Sequence, residues 1–227
     1  MTDPEPSLLD LSQFASLEDA HEKIAPQQRY MNLGVSLGAV DTIGTTVTQQ
    51  TLFWQSMITR SEGLHGAIAR EIHEQNPHAA FPLLRAFAED VALVIYVHDH
   101  PSYVRTLTQR QREIPAGEQK RKTVKALIDY AATHAPGMAG VYAELSEVSH
   151  FGAVAMWASY TVDGDNRTTW SSGPRFRSEQ QALIACAQTL ELAGAMVHHL
   201  RRFAIRHVLP LWESTRSPSE DPAAGTT

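Results

Sequence analysis

The sequence predicts an all-α protein, a helical bundle of about five to seven helices with one small β-hairpin near 159–171. Three observations carry this. Apolar residues recur at helical spacing over long stretches. Ser and Thr stand where helix N-termini need side-chain acceptors, with Pro and Gly where helices must stop. One stretch shifts to strand-forming residues around a turn.

The elements follow in order. Residues 1–7 and 214–227 are rich in Pro, Ser, Thr, Gly and acid and lack apolar periodicity, so they read as tails flanking a single helical domain, 8–213. Ser16 with Asp19 forms an acidic variant of a capping box and opens a short helix that Pro26 ends. Gly34, Gly38 and Gly44 punctuate small and apolar residues over 30–44, read as a glycine-tolerant helix. Over 45–75, Phe53, Met57, Leu64, Ile68 and Ile72 mark a long amphipathic helix stopped by Asn76-Pro77. The next helix, 81–98, is apolar nearly all round and therefore central. Residues 102–134 carry the basic residues Arg105, Arg110, Arg112, Lys120, Arg121, Lys122 and Lys125, broken at Pro115-Ala116-Gly117, and read as two surface helices. Another helix spans 139–157, after Pro136-Gly137. Strand-like residues then flank Asp163-Gly164-Asp165-Asn166 as a hairpin. Ser178 with Gln181 caps a final helix running to about 209, ended by Pro210.

Composition narrows the function classes. Of 227 residues, 43% are hydrophobic and 19% charged, enough apolar material for a sizeable core. A net charge of −6 gives no long-range attraction to polyanions, leaving a local basic patch as the route to nucleic acid. Cys186 is the single cysteine, so the chain makes no internal disulfide and no multi-cysteine metal site, which fits a cytoplasmic protein. The acidic, proline-broken start MTDPEPSLLD is unlike a secretory signal, and no apolar run reaches membrane-spanning length. Phosphate-binding glycine loops, dinucleotide fingerprints and nucleophile elbows are missing, which excludes a nucleotide cofactor held in those ways.

Three groups of residues have chemistry in them. The first is Glu-x-x-His, present as Glu18–His21, Glu62–His65 and Glu147–His150. On a helix this spacing puts both side chains on neighbouring turns of one face, as in carboxylate-bridged di-iron bundles. With Glu89 level with His65 across the hairpin of long helices, Glu62, His65, Glu89, Glu147 and His150 form a candidate site for two iron or manganese ions; ordinary surface pairs are the competing explanation, since Arg85 stands one turn from Glu89 and neutralises it. The second is Arg-x4–6-His, as Arg60–His65, Arg201–His207 and Arg202–His207, which chance alone accounts for at this composition. The third sets Arg85 and Glu89 on the central helix against Tyr142, Ser146 and His150 on a later one. Such a set reads first as interhelical glue, and the same set could act as a catalytic polar site with His150 as acid or base. His198-His199 and His98-x-His100 read as solvated surface, and the basic segment is interrupted by Glu113 and Glu118.

The strings LLRAFAEDVALVIYV, 83–97, and YAELSEVSHFG, 142–152, resemble the Arg-x3-Glu and Tyr-x2-Leu-Ser-x3-His signatures of HEPN-like helical families of unknown function, mostly bacterial. The resemblance implies a helical bundle, often a homodimer, in a superfamily that includes RNA-cleaving toxins and defence proteins. Its expected site is Arg85, Glu89, Tyr142, Ser146 and His150, with RNA as partner and no resident cofactor. The competing expectations are the di-metal bundle and a non-catalytic helical interaction or regulatory module, so whether the chain is an enzyme stays open at this stage.

Overall fold

The structure is a computed structural model that describes residues 9–26, 30, 33, 48–109, 120–149, 160–162, 168–170 and 172–211. Within them it is an all-α bundle with a single two-stranded hairpin. The helices are α1 (Leu17–Ile24), α2 (Gln49–His73), α3 (Pro77–Asp99), α4 (Tyr103–Thr108), α5 (Val124–Ala132), α6 (Met138–Ser149) and α7 (Glu179–Phe203), and α7 continues as a π-helical turn, Ala204–Val208. Strands β1 (Tyr160–Val162) and β2 (Thr168–Trp170) pair antiparallel, Tyr160 opposite Trp170.

The caps lie where the sequence put them. Ser16 Oγ accepts from the Asp19 amide while Asp19 accepts from the Ala15 amide, completing the acidic box of α1. Ser178 Oγ accepts from the Gln181 amide and Gln181 accepts from the Arg177 amide, closing the box of α7. Thr48 caps α2 through the Thr51 amide. At the end of α2, Gln75 takes a left-handed backbone with φ 57°, and Asn76 ties back to Glu71 before Pro77 starts α3. Helix α3 thus begins one turn before the predicted 81, because a proline at the first helical position lacks only an N–H that would be orphaned anyway.

Helix α3 is the axis of the bundle. Leu84, Phe87, Ala88, Val91, Ala92, Val94 and Val97 are fully or almost fully buried, and α2, α5, α6 and α7 all pack on it. At about 1.5–3 kcal/mol for each large apolar side chain buried, this helix is the greatest apolar contributor to the fold. Trp54 of α2 donates its indole N–H to the Leu200 carbonyl of α7 at 3.1 Å, and Phe53 meets Phe203 edge-on, so the start of α2 is locked to the end of α7.

Three expectations need correction or fall outside the described residues. The pair of basic surface helices is shorter and deeper than expected: Tyr103 and Val104 of α4 and Leu127, Ile128 and Ala131 of α5 are buried, because each helix turns an apolar stripe inward beneath its basic residues. Arg110 and Arg112 lie outside the described residues, as do most of the glycine-punctuated 30–44 and both tails. Helix α6 is described to Ser149, and the expected extension to 157 lies outside the described residues. No helix among the described residues is long and apolar enough to cross a membrane.

Candidate functional site

Arg85 and Glu89 stand four residues apart on α3, the spacing at which helix side chains meet. Arg85 Nε lies 3.2 Å from Glu89 Oε1, in a pair whose side chains are 25% and 30% exposed. Tyr142 of α6 closes the group. Its hydroxyl donates to Glu89 Oε1 at 2.9 Å and accepts from Arg85 Nε at 3.2 Å and Nη2 at 3.0 Å. The guanidinium carbon also sits 5.3 Å from the Tyr142 ring centroid, a cation–π contact. The hydrogen bond to Tyr142, followed by the field of Tyr142 and Glu89, raises the Arg85 pKa above its already high ordinary value against the opposing effect of burial. Arg85 is therefore a permanent cation held in fixed orientation at a partly open seam between α3 and α6.

Ser146 lies one turn beyond Tyr142 on α6, and its hydroxyl is buried with no hydrogen-bond partner among the described residues. Ser149, a turn on, donates instead to the Leu145 carbonyl at 2.5 Å. His150, the fifth residue of the expected site, lies outside the described residues. The structure thus brings Arg85, Glu89 and Tyr142 into one hydrogen-bonded group with Ser146 beside it on α6.

The di-metal arrangement does not form around His65. Buried at the centre of the bundle, His65 places Nε2 2.7 Å from the Ile24 carbonyl and Nδ1 3.1 Å from the Tyr30 hydroxyl. A carbonyl only accepts, so Nε2 carries the proton and Nδ1 accepts from Tyr30, which leaves no ring lone pair for a cation. Its ring packs against Phe87, with centroids 6.2 Å apart, rather than completing a carboxylate pair with Glu89. Glu62 and Glu147 are exposed. Among the described residues, no group of three or more His, Cys, Asp or Glu side chains is placed to hold a metal ion. Glu89 instead accepts from Arg85 and Tyr142, because helical phase, not residue count alone, decides which side chains face each other. Arg60, likewise, pairs with Asp90 at 2.6 Å and not with His65. Burial raises the Asp90 pKa and Arg60 opposes that rise.

A second polar group, which the sequence did not disclose, gathers at the C-terminal end of α3. Asp99 Oδ1 accepts from His98 Nδ1 at 3.0 Å; Oδ2 accepts from the Tyr130 hydroxyl at 2.9 Å and lies 3.3 Å from His134 Nε2. Arg206 of the π turn reaches within 4.0 Å of Oδ1, and His207 donates from Nε2 to the His98 carbonyl at 2.8 Å. Burial opposes ionisation of Asp99, yet the hydrogen bonds from His98 and Tyr130 outweigh it and hold the carboxyl below its ordinary pKa. The His98 side chain, expected on a solvated surface, is only 7% exposed. The signal in the sequence was the density of His, Tyr and Arg at 96–100, 130–134 and 198–207, but only the fold shows that three helices bring them together.

No family model, curated protein or solved structure matches this chain.

Proposed function

We propose that this chain is a HEPN-like helical protein that processes RNA, with Arg85, Glu89, Tyr142, Ser146 and His150 as its polar site. The observation that carries the reading is the Arg85–Glu89–Tyr142 group, in which one tyrosine hydroxyl contacts both members of an ion pair at an accessible interhelical seam. A guanidinium oriented in advance binds a phosphodiester without reorganising, and it stabilises the extra negative charge of a pentacoordinate phosphorus. In the reaction proposed, the ribose 2′-oxygen bonds to the adjacent phosphorus as the bond to the 5′-oxygen breaks. The products are a 2′,3′-cyclic phosphate and a free 5′-hydroxyl. His150 is suited to take the 2′ proton or return one to the leaving oxygen, since imidazole titrates near neutral pH.

Purified protein incubated with single-stranded RNA is expected to yield fragments with cyclic-phosphate ends. Arg85→Ala and His150→Ala are each expected to slow this at least a hundredfold, on the order of the loss for an electrostatic or acid–base group. Intact RNA, or fragments made equally fast by both variants, sinks the catalytic reading. A second reading, a non-catalytic interaction module, is favoured by Trp170, which is 63% exposed opposite the exposed Tyr160 on the hairpin. Exposed aromatic pairs are enriched where partners bind.

A further inference from the structure

The end of α7 is the most cationic part of the described structure. Residues 192–211 contain Arg201, Arg202, Arg206, His198, His199 and His207 and no acid at all, in a chain whose net charge is −6. His198, Arg202 and Arg206 recur every fourth residue, so they climb one side of the helix and its π turn as a row about 12 Å long. All three are exposed. Among the described residues Arg201 and Arg202 make no ion pair, and Arg206 only approaches Asp99. Cations suit a helix C-terminus for their own sake, but the dipole does not call for what lies beside them.

Adjoining the row is a run of rings from the C-terminal ends of α3 and α5 and the residues just beyond them. His100 stacks on Tyr96 with centroids 4.2 Å apart, Tyr130 stands 5.3 Å from His100, and His134 stands 4.8 Å from Tyr130. Lys122 extends the run with its ammonium 5.8 Å from the Tyr96 centroid, a second cation at the far end. The acids on these segments are already engaged: Asp99 accepts from His98 and Tyr130, and Asp129 pairs with Lys125 at 2.6 Å. Burial, then the fields of His198, Arg202, His98 and His134, push the His199 pKa down to about 4.

We propose that this surface, the row His198–Arg202–Arg206 with the rings of His134, Tyr130 and His100 beside it, binds single-stranded nucleic acid. The geometry favours a strand over a compact anion because the cations are spread over successive turns rather than converging on one point. Phosphates lie along the row, and bases meet the partly exposed rings. The identity of the strand as RNA rests on the reading of the Arg85 group given above; the surface itself does not.

The test is fluorescence anisotropy of a labelled oligouridylate with the full chain. Expected are binding at low salt that weakens steeply as salt rises and a loss of tenfold or more in Arg202→Glu/Arg206→Glu. Because both arginines are exposed, that variant should keep its helical circular dichroism; Lys122→Glu provides an independent charge reversal at the far end with a smaller loss. Absence of binding at low salt, or equal binding by the reversed variants, overturns the proposal. Polyphosphate of equal charge displacing the strand at the same concentration also overturns it, since the rings then take no part. The parent chain separates the two readings: no cleavage of RNA with anisotropy intact sinks only the RNA-processing site, and cleavage with no dependence on Arg202 or Arg206 sinks only the surface.

Discussion

Arg85 and Asp99 lie on one helix about 21 Å apart along its axis, and each gathers polar side chains from other helices, yet they are built in opposite ways. The Arg85 group is local at its root, an ion pair within α3 joined by one residue from α6. The Asp99 group has a single carboxylate receiving His98 from its own helix, Tyr130 from α5, His134 from just past the end of α5 and Arg206 from the end of α7. In the first, each charged partner has a substitute if another is lost. In the second, everything depends on one acceptor.

That contrast sets the largest expected effect. Asp99→Ala leaves the nearly buried Nδ1 of His98 without an acceptor and strands the Tyr130 hydroxyl, which should cost about 2–3 kcal/mol of stability. Glu89→Ala should cost less, roughly 1 kcal/mol, because Arg85 and Tyr142 still hydrogen-bond each other and water reaches both. Urea unfolding monitored by circular dichroism compares the two. Equal losses would mean that the dispersed origin of the Asp99 group confers no extra dependence on its hub.

The same contrast explains what was legible in the sequence. Helix phase and caps are written in local spacing, so α2, α3 and α7 and the boxes at Ser16 and Ser178 could be read directly. Arg85 and Glu89 could be paired because four residues is one helical turn, and Tyr142 could be joined to them because it faces a small-residue stripe. His65 misled, because Glu-x-x-His describes one helix while the partners that satisfy the ring, Tyr30 and the Ile24 carbonyl, come from elsewhere. His98, His134 and His207 were unreadable as a group, since nothing local records that α3, α5 and α7 end near one another. The packing of apolar stripes decides that, and apolar stripes specify a face without naming the neighbour.

An intermediate effect concerns pH. His199 has its pKa depressed to about 4 from an ordinary value near 6.5, and burial together with the same cationic neighbourhood depresses His207, although the His98 carbonyl opposes this. A depressed histidine stabilises the fold fully above its unfolded pKa, and that contribution is lost as pH falls below about 6.5 toward 4. Asp99 adds to the loss only lower, as pH drops through the ordinary carboxyl range. Arg85, with its pKa raised, stays charged throughout. Melting temperature should therefore decline between pH 6.5 and 5, and His199→Leu should flatten the decline. An unchanged slope in that variant would place the acid sensitivity outside the α7 end.

The smallest effect is the most discriminating for the Arg85 group. Tyr142→Phe keeps the ring under the guanidinium and removes only the hydroxyl, so the cation–π contact and the Arg85–Glu89 pair persist. The stability cost should be about 0.5–1.5 kcal/mol, the net worth of one such hydrogen-bonded group. Were the hydroxyl only interhelical glue, that loss would be its whole consequence, and any RNA cleavage would survive at the parent rate once corrected for folded fraction. If it orients Arg85 toward a phosphodiester, cleavage should fall by tenfold or more in protein that is still fully folded at the assay temperature. The ratio of the two losses therefore separates a strut from a positioning residue, a distinction that the resting geometry, the same in either case, does not make.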